Sequence, residues 1–163
     1  MYQKTYRDNG AIGAILDEYE RAVQDLKNVL KTVTPSELKA IVDDTTADED
    51  CHSIQTVLTH LVRSGYCYAT YIRRQQGESL DFPERILLNN VADYNDALDK
   101  MFAYNVQLFA DYPDVALEVF DSDKKILVNW GQLYDIEQLI EHAIVHILRH
   151  RRQIERFIIK LKT

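Results

Sequence analysis

Apolar side chains that return every three or four residues, over several long stretches, limit most strictly what this chain can become. That spacing lays one stripe along an α-helix and conflicts with the two-residue alternation of a half-buried strand. From Gly10 to about Val33 the stripe is Ile12, Ile15, Leu16, Tyr19, Ala22, Val23, Leu26, Val29, Leu30 and Val33. It predicts a long first helix with Asn9 at its cap. Thr34-Pro35-Ser36-Glu37 then offers a capping box with Pro at the first helical position, which starts a short helix through about Val42. The acidic run Asp43 to Asp50 is expected to be a solvated loop.

A second long helix is expected from near Asp50 to His52 through about Arg74. Its stripe is Ile54, Val57, Leu58, Leu61, Val62, Gly65, Tyr68, Ala69 and Ile72, with Gln55, Arg63, Arg73 and Arg74 on the opposite side. Between these faces runs an uncharged polar strip of Ser53, Thr56, His60, Ser64, Cys67 and Tyr71. Such a strip suits a pocket wall, being too polar for a dry core and too poor in charge for a solvated face.

Gln76 to Asn89, with Gly77 and Pro83, is a connector with one helical turn. A third helix follows from about Val91 to Ala110, presenting Tyr94, Leu98, Met101, Phe102, Asn105, Leu108 and Phe109, and Tyr112-Pro113-Asp114 breaks it. Val115 to Phe120 is read as a further turn of helix. Ile126-Leu127-Val128-Asn129-Trp130-Gly131 has the composition of an extended or turning segment.

The fourth long helix starts at Asp135, where Asp135-Ile136-Glu137-Gln138 reads as a cap with Gln at the third position, and continues to about Lys160. Four long amphipathic helices without a convincing sheet predict an all-α four-helix bundle of one domain. The 163 residues suffice for a single core, and five glycines and three prolines agree with helix.

On the fourth helix His142, His146, His150 and Gln153 form a strip beside the core stripe. Residues i and i+4 stand one above the other, so a pair of these imidazoles can face one ion. His60 supplies a third ligand if helices two and four run antiparallel, since it lies about 15 residues from the end of one helix and His146 and His150 about 11 to 15 from the start of the other. The pair is either His142 with His146 or His146 with His150. Position favours the latter, because His150 turns further toward the core stripe. Three protein ligands with one open position is the build of a catalytic zinc-type site, and imidazole suits Zn, Ni, Cu or Fe(II) better than Mg or Ca. The structural alternative is a set of histidines that pack at the edge of the helices without metal. Ser64, Cys67, Tyr71 and His142 are the candidate pocket residues.

Ser53-Ile54-Gln55-Thr56-Val57-Leu58-Thr59-His60-Leu61, together with His146-Ile147-Leu148-Arg149-His150-Arg151-Arg152-Gln153-Ile154, resembles the DinB-like superfamily, also called YfiT-like metal-dependent hydrolases. That pattern is a histidine in helix two followed by a late His-x-x-x-His-Arg-x-Gln. Arg152 stands where many relatives have glycine. The resemblance implies His60, His146 and His150 as ligands with His142 outside the set, an up-down-down-up course, bacterial origin and frequent homodimers. It also implies zinc or nickel as the metal. The activity implied is thiol S-transfer, joining a low-molecular-weight thiol to an electrophile, or metal-dependent hydrolysis.

A net charge of −7 argues against nucleic acid as the main partner, and Arg149, Arg152 and Arg156 read as a solvated face. No apolar run is long enough to span a membrane. The start, Met1 to Asp8, lacks the build of a signal peptide, so a cytoplasmic place is expected. Cys51 and Cys67 form no CxxC motif and are expected to be free thiols, Cys51 gaining reactivity if it sits at a helix N-terminus.

Overall fold

The computed structural model describes residues 5–163 and is mostly helical. Residues 1–4, which open the segment behind the leader expectation, lie outside the described residues. Among the described residues five α-helices appear in order: α1 (Gly10–Leu30), α2 (Pro35–Lys39), α3 (Ile54–Gln75), α4 (Val91–Asp111) and α5 (Ile136–Lys162). A hairpin of two two-residue strands, β1 (Ile126–Leu127) and β2 (Leu133–Tyr134), precedes α5. Helix α1 packs on α4 and α5, and α3 packs on the same two. The stripes read from the sequence meet in one core: Leu26, Leu30, Leu58, Ile72, Leu98 and Ile154 lose all solvent contact. Burial of each such side chain contributes about 1.5–3 kcal/mol. Among the described residues no helix is long and apolar enough to cross a membrane.

Helix ends follow local chemistry where a side chain can reach the backbone. Capping boxes form at Thr34/Glu37, Ser53/Thr56 and Asp135/Gln138. Asn9 is different: its backbone is not extended, and its side chain makes no capping bond. Helix α1 stops at Leu30 rather than Val33. Helix α2 stops at Lys39, because the next residues pair elsewhere, the Val42 and Asp43 amides donating to the His52 carbonyl.

The second long helix also begins later than expected. Glu49–Cys51 is a separate 3-10 turn, and Ser53 with Thr56 caps α3 instead of walling a pocket.

Three side chains assigned to a solvated face of α3 instead strap the connector that follows it. Arg74 Nε donates to the Leu80 carbonyl at 2.7 Å, Arg63 Nε to that of Pro83 at 3.0 Å and Gln55 Nε2 to that of Leu88 at 2.7 Å. The connector spends its carbonyls on these donors and holds no helical turn. Arg73, expected on the same exposed face, is buried and pairs with Glu78 and Asp111. Val115 to Phe120 likewise forms no helix, and the Leu117 carbonyl accepts from the Glu137 amide at the start of α5. In the hairpin Gly131, at φ +85°, makes the reversal that a side chain disfavours, and Trp130 sits beside it.

Candidate metal centre

Helix α3 carries His60 and α5 carries His146 and His150, and packing of α3 on α5 brings the three rings together. His60 Nε2 lies 2.9 Å from His146 Nε2, and His150 Nε2 lies 3.1 Å from that same atom. All three donor atoms fall within 4.8 Å of one another. The three histidines are therefore close enough to hold a metal ion.

The tautomers follow from the outward-facing nitrogens. His60 Nδ1–H donates to Asp50 Oδ2 at 3.0 Å, and His150 Nδ1–H donates to Gln153 Oε1 at 2.8 Å. A carboxylate or amide oxygen only accepts, so both Nε2 atoms carry a lone pair and both face His146. One proton on His146 Nε2 can satisfy just one of them. A cation at the convergence point satisfies all three. Two nitrogens bound at about 2.05 Å to one ion lie no more than about 4.1 Å apart. Both pairs that include His146 meet this limit, and His60 with His150 needs to close by less than about 1 Å.

Burial disfavours the charged form of both α5 donors. His146 is 8% exposed. Desolvation, with His150 and His60 beside it, pushes its pKa from an ordinary 6.5 down to about 2. His150 and His142 are also lowered, chiefly by burial. A lowered imidazole pKa means that the unfolded chain binds the proton more readily. The stability contribution of neutral His146 is thus complete above about pH 6.5 and lost as pH falls toward its folded value. The metal-free protein is expected to lose up to about 1.4 kcal/mol per pH unit below 6.5 through this residue alone. Thermal melts from pH 8 to 5 check this, and equal pH slopes in wild type and His146→Leu would refute it.

Asp50 and Gln153 hold the ligands from behind. Asp50 was grouped with a solvated loop, yet the 3-10 turn folds it onto α3, where Oδ2 meets His60 and Oδ1 forms an ion pair with Arg85. A residue ten positions before a histidine has no helical register with it, so the sequence carried no signal. Gln153 stood in the motif without a role and now fixes His150. Its Oε1 also lies 4.0 Å from the Cys51 thiol. Burial, with the Asp48 and Asp50 carboxylates, raises the pKa of Cys51, so the expected gain in reactivity is not supported. Asp50→Ala is expected to weaken zinc binding about 10–100-fold, as loss of an orienting carboxylate does elsewhere. Competition against a fluorescent chelator measures it.

A cavity of about 390 Å³ opens beside His60 and His146. All four candidate pocket residues, Ser64, Cys67, Tyr71 and His142, line it. His142 stays outside the ligand triad, so of the two pairings the geometry brings His146 and His150 together with His60. The sequence missed Tyr68, Phe82, Asn129 and Trp130 as lining, and it placed Arg63 and Arg149 on outward faces when both reach the cavity. The Trp130 ring stacks on His142 at 5.5 Å.

Tyr134 donates its O–H to Gln132 Oε1 and so accepts from His142 Nδ1–H at 3.3 Å. That leaves the His142 Nε2 lone pair free to take a proton. No known protein-family model matches the chain, and no curated protein matches it.

Proposed function

We propose that this protein is a divalent-metal-dependent enzyme of the DinB-like kind, and that it transfers the sulfur of a low-molecular-weight thiol onto an electrophile. One observation carries the reading: three imidazole nitrogens converge beside a cavity whose lining, among the described residues, contains no Asp or Glu. His60, His146 and His150 hold zinc or nickel. A divalent ion among neutral ligands keeps its full charge and favours the deprotonated form of an adjacent thiol.

The chain's own residues do the rest. Asp50 and Gln153 fix the ligand rings, and the aromatic wall lines the cavity beside them. His142 Nε2 accepts the thiol proton. The sulfur forms a bond to the electrophilic carbon while the leaving group departs with its electron pair. Thiol is favoured over water as the nucleophile by the missing carboxylate base. A thiol ionises near pH 8.5 unaided, whereas water at about 15.7 needs far more help.

The resemblance extends the proposal to an up-down-down-up bundle and a homodimer, and a cytoplasmic place is proposed beside them. Zinc- or nickel-loaded protein, given cysteine or glutathione and a chromogenic aryl halide, is expected to form the thioether, and chelation or His150→Ala should stop it. Stoichiometric metal with no conjugation of either thiol would count against the reading.

A further inference from the structure

The cavity is chemically one-sided. In a chain with 26 acidic and 19 basic residues, its charged lining among the described residues is Arg63 and Arg149. Both arginines are exposed at the rim. Arginines that pair with carboxylates among the described residues include Arg7, Arg21, Arg73, Arg85 and Arg151; neither Arg63 nor Arg149 has such a partner. Arg63 Nε is held by the Pro83 carbonyl, which fixes the guanidinium while leaving its terminal nitrogens without a carboxylate. Two cations with no anion between them in an acidic protein describe a receptor for an anion.

The remaining wall is made of rings. Tyr71 packs against Phe82 with centroids 4.7 Å apart, and Tyr71 and Tyr68 each meet Trp130 edge-on at 6.3 Å. Trp130 is 47% exposed, which a core aromatic is not. An exposed indole at the mouth of an aromatic cavity offers a face to a planar ligand. The volume, about 390 Å³, sits at the small end of ligand sites and has room for a ring with its anionic group and further substituents, since a cavity of about 150 Å³ already holds benzene.

We infer that the cavity binds an organic anion carrying one aromatic ring, with the anionic group at Arg63 and Arg149 and the ring against Trp130. Its role as the electrophilic co-substrate rests on the proposed S-transfer; its binding does not, because no metal ligand takes part in the recognition.

Benzoate, benzamide and acetate serve as probes. Each is titrated into metal-free and zinc-loaded protein by calorimetry, and Trp130, the single tryptophan, reports optically. Benzoate is expected to bind both forms saturably, about tenfold tighter than either neutral benzamide or ringless acetate. Arg63→Gln and Arg149→Gln should each weaken benzoate about fivefold or more and leave benzamide unchanged. Trp130→Ala should weaken benzoate and spare acetate.

Equal affinity for benzoate and benzamide would overturn the inference, as would equal affinity for benzoate and acetate. Benzoate binding that requires zinc and ignores both arginine changes would overturn it too, since the ion would then be reading the carboxylate. Failure of the protein to bind any metal would remove the S-transfer proposal while the metal-free titration still decides this one.

Discussion

His146→Ala is expected to abolish stoichiometric metal binding. His146 Nε2 is the atom that both other donors approach, at 2.9 and 3.1 Å, so its loss leaves two nitrogens within 4.8 Å and no shared centre. Removing an orienting group behind a ligand costs about 10–100-fold, and removing a ligand should exceed about 100-fold. Wild-type protein dialysed against zinc or nickel should retain about one ion per chain, and the variant should retain none.

Bound metal also stabilises the fold by linkage, about 2.7 kcal/mol when free ion stands at 100 times Kd. The wild-type melting temperature should therefore rise with zinc and the variant's should not. Comparing metal-free forms separates this from the small void left in a buried site. An unchanged metal content in His146→Ala would remove the centre from the description of this protein.

Gly65→Ala should destabilise the fold by about 1–3 kcal/mol, the usual cost of overpacking a filled core. A Cβ there would collide with Met101 Sδ and come within 2.7 Å of its Cγ. Met101 is fully buried, and its sulfur accepts from the Tyr19 hydroxyl at 3.4 Å, so the side chain cannot swing away freely. Asn105 adds a second tie between the helices, donating from Nδ2 to the Gly65 carbonyl at 3.2 Å. For a chain of this size the change corresponds to roughly 2–4 °C in Tm per kcal/mol. Thermal or chemical denaturation of the metal-free protein measures it. A melting temperature equal to wild type would mean that α3 and α4 separate at no cost.

Pattern made the helices and the ligands legible, and long-range contact made the rest illegible. The stripe on α3 predicted the burial of Ile54, Leu58, Leu61 and Ile72, because helical periodicity is a property of local sequence. The same face logic failed for Gln55, Arg63 and Arg74. A long polar side chain opposite the core stripe reads as solvated whether or not a connector lies over it, and here the connector offers bare carbonyls at just those places. Val115 to Phe120 failed for a related reason, since its backbone serves the start of α5 and not its own ladder.

His146 and His150 were legible as a helical pair and His60 as a matching depth on a polar strip. Between His142 and His150 spacing alone left a choice, and packing of α3 on α5 is what joins His150 to His60. Asp50 could not be read at all. Its carboxylate reaches His60 only because a 3-10 turn folds the loop back along α3, and no periodicity links a loop to a helix face.

Helical class, core stripes, the capping boxes at Thr34 and Asp135 and the imidazole donors were thus set by the sequence alone, each being a matter of residues within a few turns of one another. The convergence of three nitrogens, the proton that two lone pairs compete for, and an aromatic cavity carrying two cations and no acid were decided by tertiary structure, which brings Asp50, Arg63, Trp130, His142 and Arg149 together across segments with no shared register.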